Sequence, residues 1–513
     1  MLNRRGFLKL FLVSTAVMFR SGFAGAADDK TQGRRPNLLV IMTDEHNFRT
    51  LGCYRRLLQH QHAFLWGDNA AVKTPFIDSI ADNGALCDRF YAASPVCTPS
   101  RASFFSGLYP QNTGADVNDK PYKDSIVTFA EVLGKRGYAT GYAGKWHLDG
   151  DSKPGWSPTR KFGFDDNTYM FNRGHWKVLE DTAQGPAVKA QGKGGKGGKG
   201  GKGGKSSYSA AGADEKSFTT DFLADKTVAF LKNHGKSPFC YVVNIPDPHG
   251  PNKVRAPYNK MFKDMKFHRP ATAGKDGAFE EMDLYFGMIK CIDDNVGKIL
   301  GALKATGAAD NTIVVFTSDH GDMCGEHGLI DKGVAYEASC RIPFIISYPG
   351  RIKPGTVVRE ALNNVDFKPT ILSLMGVKDA GISEGRDAAS LFLSGKAPDG
   401  WENVTFSRNA DGKWLMAVSS SHKLVIHDSQ SPELFDINTD PLETRNLFVE
   451  SSCREIVRKL ADALRRYAKK SKDPYADDKA ISADLEWAVS GKGPYVQQKY
   501  VAGKRRAGGS DEE

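Results

Sequence analysis

Four apolar runs in this chain each end on a cluster of acids, bases or cations. Asp44, Glu45 and His46 follow the run 37–42, and Lys145, Trp146 and His147 follow 138–143. Asp247 and His249 follow 239–245, and Asp319, His320 and Asp322 follow 311–318. Any one of these would pass for an ordinary polar loop. Four of them, each directly behind an apolar run, point to a shared destination. Carboxylates suit a hard divalent cation such as calcium or magnesium, and an imidazole can add a nitrogen ligand. Asp44, Glu45, Asp319 and His320 are therefore the candidate metal ligands. Arg101, Lys145 and Lys332 add fixed positive charge. A metal ion beside several fixed cations fits a tetrahedral oxyanion and its ester.

A fifth feature is "SPVCTPSRASFFSGLYP" at 94–110. Cys97 opens a predicted helix, with Thr98 or Ser100 available as N-cap. A helix N-terminus attracts anions and lowers a thiol pKa. With His147 or His249 as base, Cys97 reads as a cysteine nucleophile. Yet a thiolate does not ordinarily sit among the carboxylates of a hard-metal site, and that mismatch asks for a different chemistry.

The elements that must position these residues alternate. "NLLVIM" (37–42) is continuously apolar, as a strand buried on both faces should be. Further strands are expected at 138–143, 239–245, 311–318 and 342–348. The stretch 125–137 puts Ile126, Phe129, Ala130 and Leu133 on one helical face, and 281–306 carries Tyr285, Ile289, Ile292, Val296, Ile299 and Leu303 at helical spacing. Strands separated by helices predict an α/β domain whose large, mainly parallel or mixed sheet is sandwiched by helices. In such sheets ligands bind beyond the carboxyl ends of the strands, where all four clusters lie. After about residue 400 the texture changes. A hairpin at 413–428, a strand with an Asp-Pro turn in 433–447 and a basic amphipathic helix at 453–470 predict a smaller α+β domain with a short antiparallel sheet. The expected organisation is a catalytic domain over 35–399, the small domain over 400–475 and a flexible tail over 490–513.

The ends and one insertion read differently. Residues 1–26 hold Arg4-Arg5, an apolar run from Phe7 to Phe19 and Ala24-Gly25-Ala26, the pattern of a cleaved secretory signal of twin-arginine type. That run is too short for a comfortable membrane span, so no stable anchor is expected. A bacterial periplasmic or secreted location follows. Residues 192–205 are a Gly/Lys tract without an apolar residue, expected to be a disordered surface loop able to gather polyanions. The formal net charge of +10 comes mostly from the signal and this tract, which leaves the folded body near neutral and gives no nucleic-acid footprint. Eight scattered cysteines have neither zinc-like spacing nor the density of a disulfide scaffold.

Cys97-Thr98-Pro99-Ser100-Arg101 with Leu108-Tyr109-Pro110 resembles the signature of the formylglycine-dependent sulfatases, in the alkaline-phosphatase-like superfamily. "GKWHL" (144–148) resembles that family's second signature, "SDHGDMCGEHGLIDKGVAYEASCRIP" (318–343) its metal and lysine block, and "PELFDINTDPLETRNL" (432–447) its C-terminal strand and turn. The resemblance implies that a maturation enzyme oxidises Cys97 to formylglycine. One hydroxyl of the hydrated aldehyde then attacks sulfur, and loss of a proton from the other expels sulfate by C–O cleavage. It also implies that Asp44, Asp319, His320 and modified Cys97 bind the metal, with Glu45 where the family often has a second Asp and His320 where it often has Asn. Arg101 and Lys145 would steady the hydrate and the sulfate. His147 would take the proton that releases sulfate, and His249 and Lys332 would face the ester oxygen. Asp322, Glu326, His327, Cys324 and Cys340 are expected to be structural.

The function this implies is an exported hydrolase of sulfate esters, above all of sulfated carbohydrates. A phosphate or phosphonate ester hydrolase of the same superfamily competes with it, as does a non-enzymatic binder of polyanions. The set Cys97, Arg101, Lys145, His147, His249 and Lys332 argues against the last. Candidate substrate-side residues are His46, Asn47 and Arg49, and His175 with Trp176.

Overall fold

The computed structural model describes residues 34–189, 208–275, 277, 282–379 and 381–497. The signal segment 1–26, the Gly/Lys tract 192–205 and most of the tail lie outside the described residues. The centre of the fold is an eight-stranded sheet. Its strands are β1 (Asn37–Asp44), β2 (Ala85–Cys87), β3 (Ala139–Lys145), β4 (Asp166–Phe171), β5 (Phe239–Pro248), β6 (Thr312–Ser318), β7 (Phe344–Ser347) and β8 (Thr356–Val358). They are ordered β8-β2-β7-β6-β1-β5-β3-β4. β7 alone runs against its neighbours β6 and β2, and every other pairing is parallel. The four strands whose ends carry the candidate residues are thus contiguous (β6-β1-β5-β3) and open on one edge.

Burial explains why these strands read as unbroken apolar runs. All eight residues of β1 are buried. Leu38, Val40 and Met42 join one core layer, and Leu39 and Ile41 the opposite one, as the two-residue period of a strand requires. The first layer is filled by α1 (Cys97–Ser106), through Phe104 and Phe105, and by α2 (Phe129–Gly134), through Phe129 and Leu133. The second is filled by α3 (Thr219–His234), through Phe222, Leu223, Phe230 and Leu231, and by α4 (Met282–Ala305), through Ile292, Val296, Ile299 and Leu303. α2 is shorter than the 125–137 pattern predicts. Thr128 adopts an extended backbone and caps the helix reciprocally with Glu131, so Ile126 packs from the preceding loop.

The C-terminal region is an antiparallel sheet of β9 (Val404–Arg408), β10 (Trp414–Ser419), β11 (His422–His427) and β12 (Glu433–Asp436) in sequential order. Leu415, Ala417, Leu424, Ile426 and Leu434 meet α5 (Arg454–Ser471) on one face. A further helix, α6 (Lys479–Ser490), falls between the expected small domain and the expected tail. The Asp478 carboxylate caps it by accepting from the Ala480 and Ile481 N–H groups, and Ile481, Leu485 and Ala488 pack into the same core. The other face of the sheet presents Trp414, Met416, Val418, Val425 and Phe435 to Tyr91, Ala335 and Cys340. Asn409 Nδ2 and Trp414 Nε1 donate to Gly333 O at 2.8 and 3.3 Å, so the small sheet pins the backbone beside Lys332. No disulfide joins any two of the eight cysteines, and no helix among the described residues is long and apolar enough to cross a membrane.

Leu39 lies in mid-sheet between Tyr241 and Val314 and is fully buried. Leu39→Ala should lower the unfolding free energy by about 2–5 kcal/mol. Urea denaturation of variant and wild type measures it, and a change too small to resolve would contradict the two-sided burial of β1.

Candidate active site

Two of the strand ends turn sharply through left-handed backbone. Asp44 is the last residue of β1, and the next residue, Glu45, has φ 61°. Lys145 ends β3, and His147 has φ 62°. Left-handed backbone costs a non-glycine residue free energy and persists only where its surroundings enforce it. Gly144 stands where a Cβ would overlap Asn244 O of the neighbouring strand, which accounts for the glycine before Lys145. Likewise a Cβ at Gly321 would overlap Ala338 O.

α1 delivers Cys97 as its first residue, but no side chain caps the helix. The two expected caps do something else. Thr98 Oγ1 donates to His147 O at 3.0 Å, and Ser100 Oγ donates to Asp319 O. Their hydroxyls tie α1 to the ends of β3 and β6.

Asp44, Cys97, Asp319 and His320 converge, their ligand atoms lying within 4.8 Å of one another and all four residues buried. His320 Nδ1 lies 3.0 Å from Gly321 O and donates to it, which turns Nε2 inward as an acceptor. Nε2 is 3.1 Å from Cys97 Sγ and 3.7 Å from both Asp44 Oδ1 and Asp319 Oδ1. Glu45 stands at the border. Its Oε2 is 3.0 Å from His249 Nε2 and 3.2 Å from Lys332 Nζ, while its Oε1 is buried with no hydrogen-bond partner among the described residues. Two carboxylates, an inward imidazole nitrogen and an orphaned carboxylate oxygen fit a divalent cation.

The cations interlock with these acids. Arg101 Nη2 lies 2.8 Å from both Asp44 Oδ2 and Asp319 Oδ2, and Arg101 Nη1 donates to Lys145 O at 2.9 Å. Lys145 Nζ is 2.8 Å from Asp44 Oδ2 and 2.7 Å from His175 Nε2. His175 stacks on His249 with centroids 3.6 Å apart and planes 8° apart. The Lys332 ammonium and His249 Nε2 are 2.6 Å apart. Asp44, His175 and His249 form a second group close enough to share an ion, but the Lys145 ammonium already lies against Asp44 and His175. That side of the site suits an anion.

Burial raises the Asp44 and Glu45 carboxyl pKa values, yet nearby cations outweigh it. Lys145 and Arg101 hold Asp44 well below the usual carboxylate range, and His249 and Lys332 hold Glu45 below it. Burial opposes charge on His249, but Glu45 pushes its pKa up to about 10. The arrangement is therefore a fixed array of charges that can grip an oxyanion, with imidazoles placed to move protons.

The expected site residues Asp44, Glu45, Cys97, Arg101, Lys145, His249, Asp319, His320 and Lys332 are all brought together. His147 enters through its carbonyl bond to Thr98, and its ring meets a residue outside the motifs: Nε2 is 2.9 Å from Asp119 Oδ1. Asp119 has no apolar run before it, so only its negative charge in a Gly/Asn/Asp-rich loop hinted at a role. His175, one of the substrate-side candidates, contacts Lys145 directly.

His46, Asn47 and Arg49, also substrate-side candidates, bond instead into the interior. His46 bonds Thr43 and Thr50, and burial lowers its pKa to about 3. Asn47 donates to Asp322 O, and Arg49 pairs with Glu326 and donates to Pro441 O. Trp176 stacks on Tyr208 beneath Lys153. Asp322 accepts from the Cys324 N–H, His327 stacks on Tyr336, and Cys340 Sγ donates to Val334 O, all of them packing contacts.

The family model described as Sulfatase matches residues 36–377, and the model described as N-sulphoglucosamine sulphohydrolase, C-terminal, matches 325–470. The chain is similar to an ulvan-active sulfatase of Formosa agariphila, at 29% identity over 82% of this chain and 78% of that one. It is 26% identical to an N-acetylglucosamine-6-O-sulfatase of Bacteroides thetaiotaomicron, over 88% of this chain and 90% of that one. The fold matches a protein solved in complex with its substrate D-glucosamine-2-N,6-O-disulfate, with TM-score 0.69 and 23% identity over 87% of this chain and all of that one.

Asp319→Ala removes a carboxylate that faces both the cation position and Arg101. The purified variant should carry a divalent metal at well under one equivalent by elemental analysis, where wild type carries about one. Full occupancy in the variant would place the ion elsewhere.

Proposed function

The chain belongs to the sulfatase family, and on that premise we propose that it is an exported enzyme that hydrolyses sulfate esters of carbohydrates. The observation that carries this reading is Cys97, seated at the first turn of α1 among Asp44, Asp319 and His320. A sulfuric ester hydrolase of this family acts at that cluster. The carbohydrate class is supported by relatives named for ulvan and for N-acetylglucosamine-6-O-sulfate. Export by the twin-arginine route is supported by Arg4-Arg5 and the apolar run behind them. The maturation enzyme that makes formylglycine would act on Cys97 before folding buries it.

Formylglycine at position 97 supplies, as its hydrate, one hydroxyl to attack sulfur and a second whose deprotonation expels sulfate. Asp44, Asp319 and His320, with the residue at 97 and Glu45 Oε1 at the border, would hold a divalent cation. Calcium or magnesium suits the carboxylates, and the His320 nitrogen extends the range to manganese. Such an ion lowers the cost of gathering negative charge on the sulfate oxygens. The rest falls to side chains already in place. Arg101 and Lys145 flank Asp44 and orient both residue 97 and the sulfate. His147 takes the proton whose loss releases sulfate. His249 and Lys332, held together by Glu45, face the ester oxygen, and His249 gives the leaving alcohol its proton.

Enzyme made in its native host should turn over a sulfated oligosaccharide and an aryl sulfate with far higher kcat/KM than the matching aryl phosphate or a phosphonate monoester. Cys97→Ala should lose at least about a thousandfold in kcat, as expected for loss of a covalent nucleophile. The activity should partition with the periplasmic or extracellular fraction. A preference for phosphate or phosphonate esters would overturn the substrate class, and activity confined to the cytoplasm would overturn export.

A further inference from the structure

We propose that Asp119 is the positioning residue that orients the His147 imidazole and fixes which of its nitrogens takes a proton. The proposal rests on the sulfatase reading for the task of His147, and on geometry for everything else. Asp119 lies outside every motif that marks the site. Its Oδ1 is 2.9 Å from His147 Nε2, and its Oδ2 is 2.9 Å from Arg173 Nη1. The neighbouring Asn118 accepts the Thr98 N–H through Oδ1 at 3.1 Å, and Thr98 Oγ1 donates to His147 O at 3.0 Å. Loop 118–119, Thr98 and His147 therefore close a ring of hydrogen bonds one residue from Cys97.

The ring of bonds has consequences for the imidazole. An imidazole Nε2–H donated to a carboxylate leaves Nδ1 as the nitrogen with the lone pair, so the neutral tautomer is set by Asp119. The same carboxylate stabilises the imidazolium that forms once the proton arrives, without itself being protonated. Arg173 occupies the other oxygen and keeps the carboxylate from rotating. Both partners hold left-handed backbone, Asp119 at φ 65° and His147 at φ 62°. Aspartate and histidine adopt that conformation more readily than most non-glycine residues, and here it aims both side chains at each other.

The variant Asp119→Asn keeps size and tolerance of positive φ. It offers one acceptor where His147 and Arg173 bring two donors. On an aryl sulfate, kcat should fall by about a hundredfold, within the range of lost acid–base catalysis. KM should stay within about twofold, and conversion of Cys97, read by peptide mass, should match wild type. A kcat within about twofold of wild type, or a loss carried by KM alone, would overturn the proposal. Nitrogen-15 NMR of histidine-labelled wild type is the companion measurement, with the resonance assigned by its absence in His147→Gln. It should show Nε2 protonated and Nδ1 bare, and a neutral ring protonated at Nδ1 would overturn the proposal even if Asp119→Asn does not fold. Wild-type turnover of the aryl sulfate tests the sulfatase reading separately. Its absence would sink that reading while the ring-nitrogen result still judges Asp119.

Discussion

The site hangs on one buried guanidinium. Arg101 is fully buried, and its side chain touches three strand ends at once: Asp44 of β1, Asp319 just beyond β6 and the carbonyl of Lys145 at the end of β3. Because Arg101 sits one turn along α1 from Cys97, the same contacts place Cys97. Burial alone disfavours the charge, yet Asp319 and Asp44 hold its pKa above the usual arginine range. Such an ion cluster adds little net stability, because desolvation consumes most of the attraction. Its value is in the geometry. Removing one partner strands the others as buried, uncompensated charges, at a cost of about 3–5 kcal/mol, so the arrangement resists relaxation.

Charge counting around that hub explains the choice of ligand. Asp44, Glu45 and Asp319 are in direct ion-pair contact with Arg101, Lys145 and Lys332, three acids with three permanent cations, and the His249 imidazole whose pKa Glu45 raises adds a fourth. A divalent cation held by the acids would make this set more positive still. The cleft at the strand ends would then attract an anion, although the folded body carries almost no net charge. The discrimination needed from an ester hydrolase thus comes from a local, pre-oriented field, where fixed dipoles and charges act most strongly.

Much of this was legible in the sequence, for a physical reason. Strands buried on both faces must be apolar throughout, so β1, β3, β5 and β6 stood out, and the polar residues after them lay by topology on one edge. What escaped depends on tertiary contacts. The antiparallel course of β7 leaves no trace in composition, since its residues are buried like the rest. Thr98 and Ser100 have the chemistry of helix caps, and only packing shows that their hydroxyls serve His147 and Asp319. His46, Asn47 and Arg49 stand beside Glu45 in sequence but point into the interior toward Thr50, Asp322 and Glu326. Asp119 reaches His147, and Arg173 reaches Asp119, from loops without periodicity. The helix α6 was hidden because its apolar positions follow a charged stretch that resembles a tail.

On the proposed function, residue 97 works beside Arg101 as a formylglycine and not as a thiol. Mass spectrometry of the peptide spanning Cys97, from protein purified out of its native host, tests it directly. The expected result is the mass of an aldehyde in place of the thiol, trapped by a hydrazide. A peptide carrying an intact cysteine in fully active enzyme would contradict it.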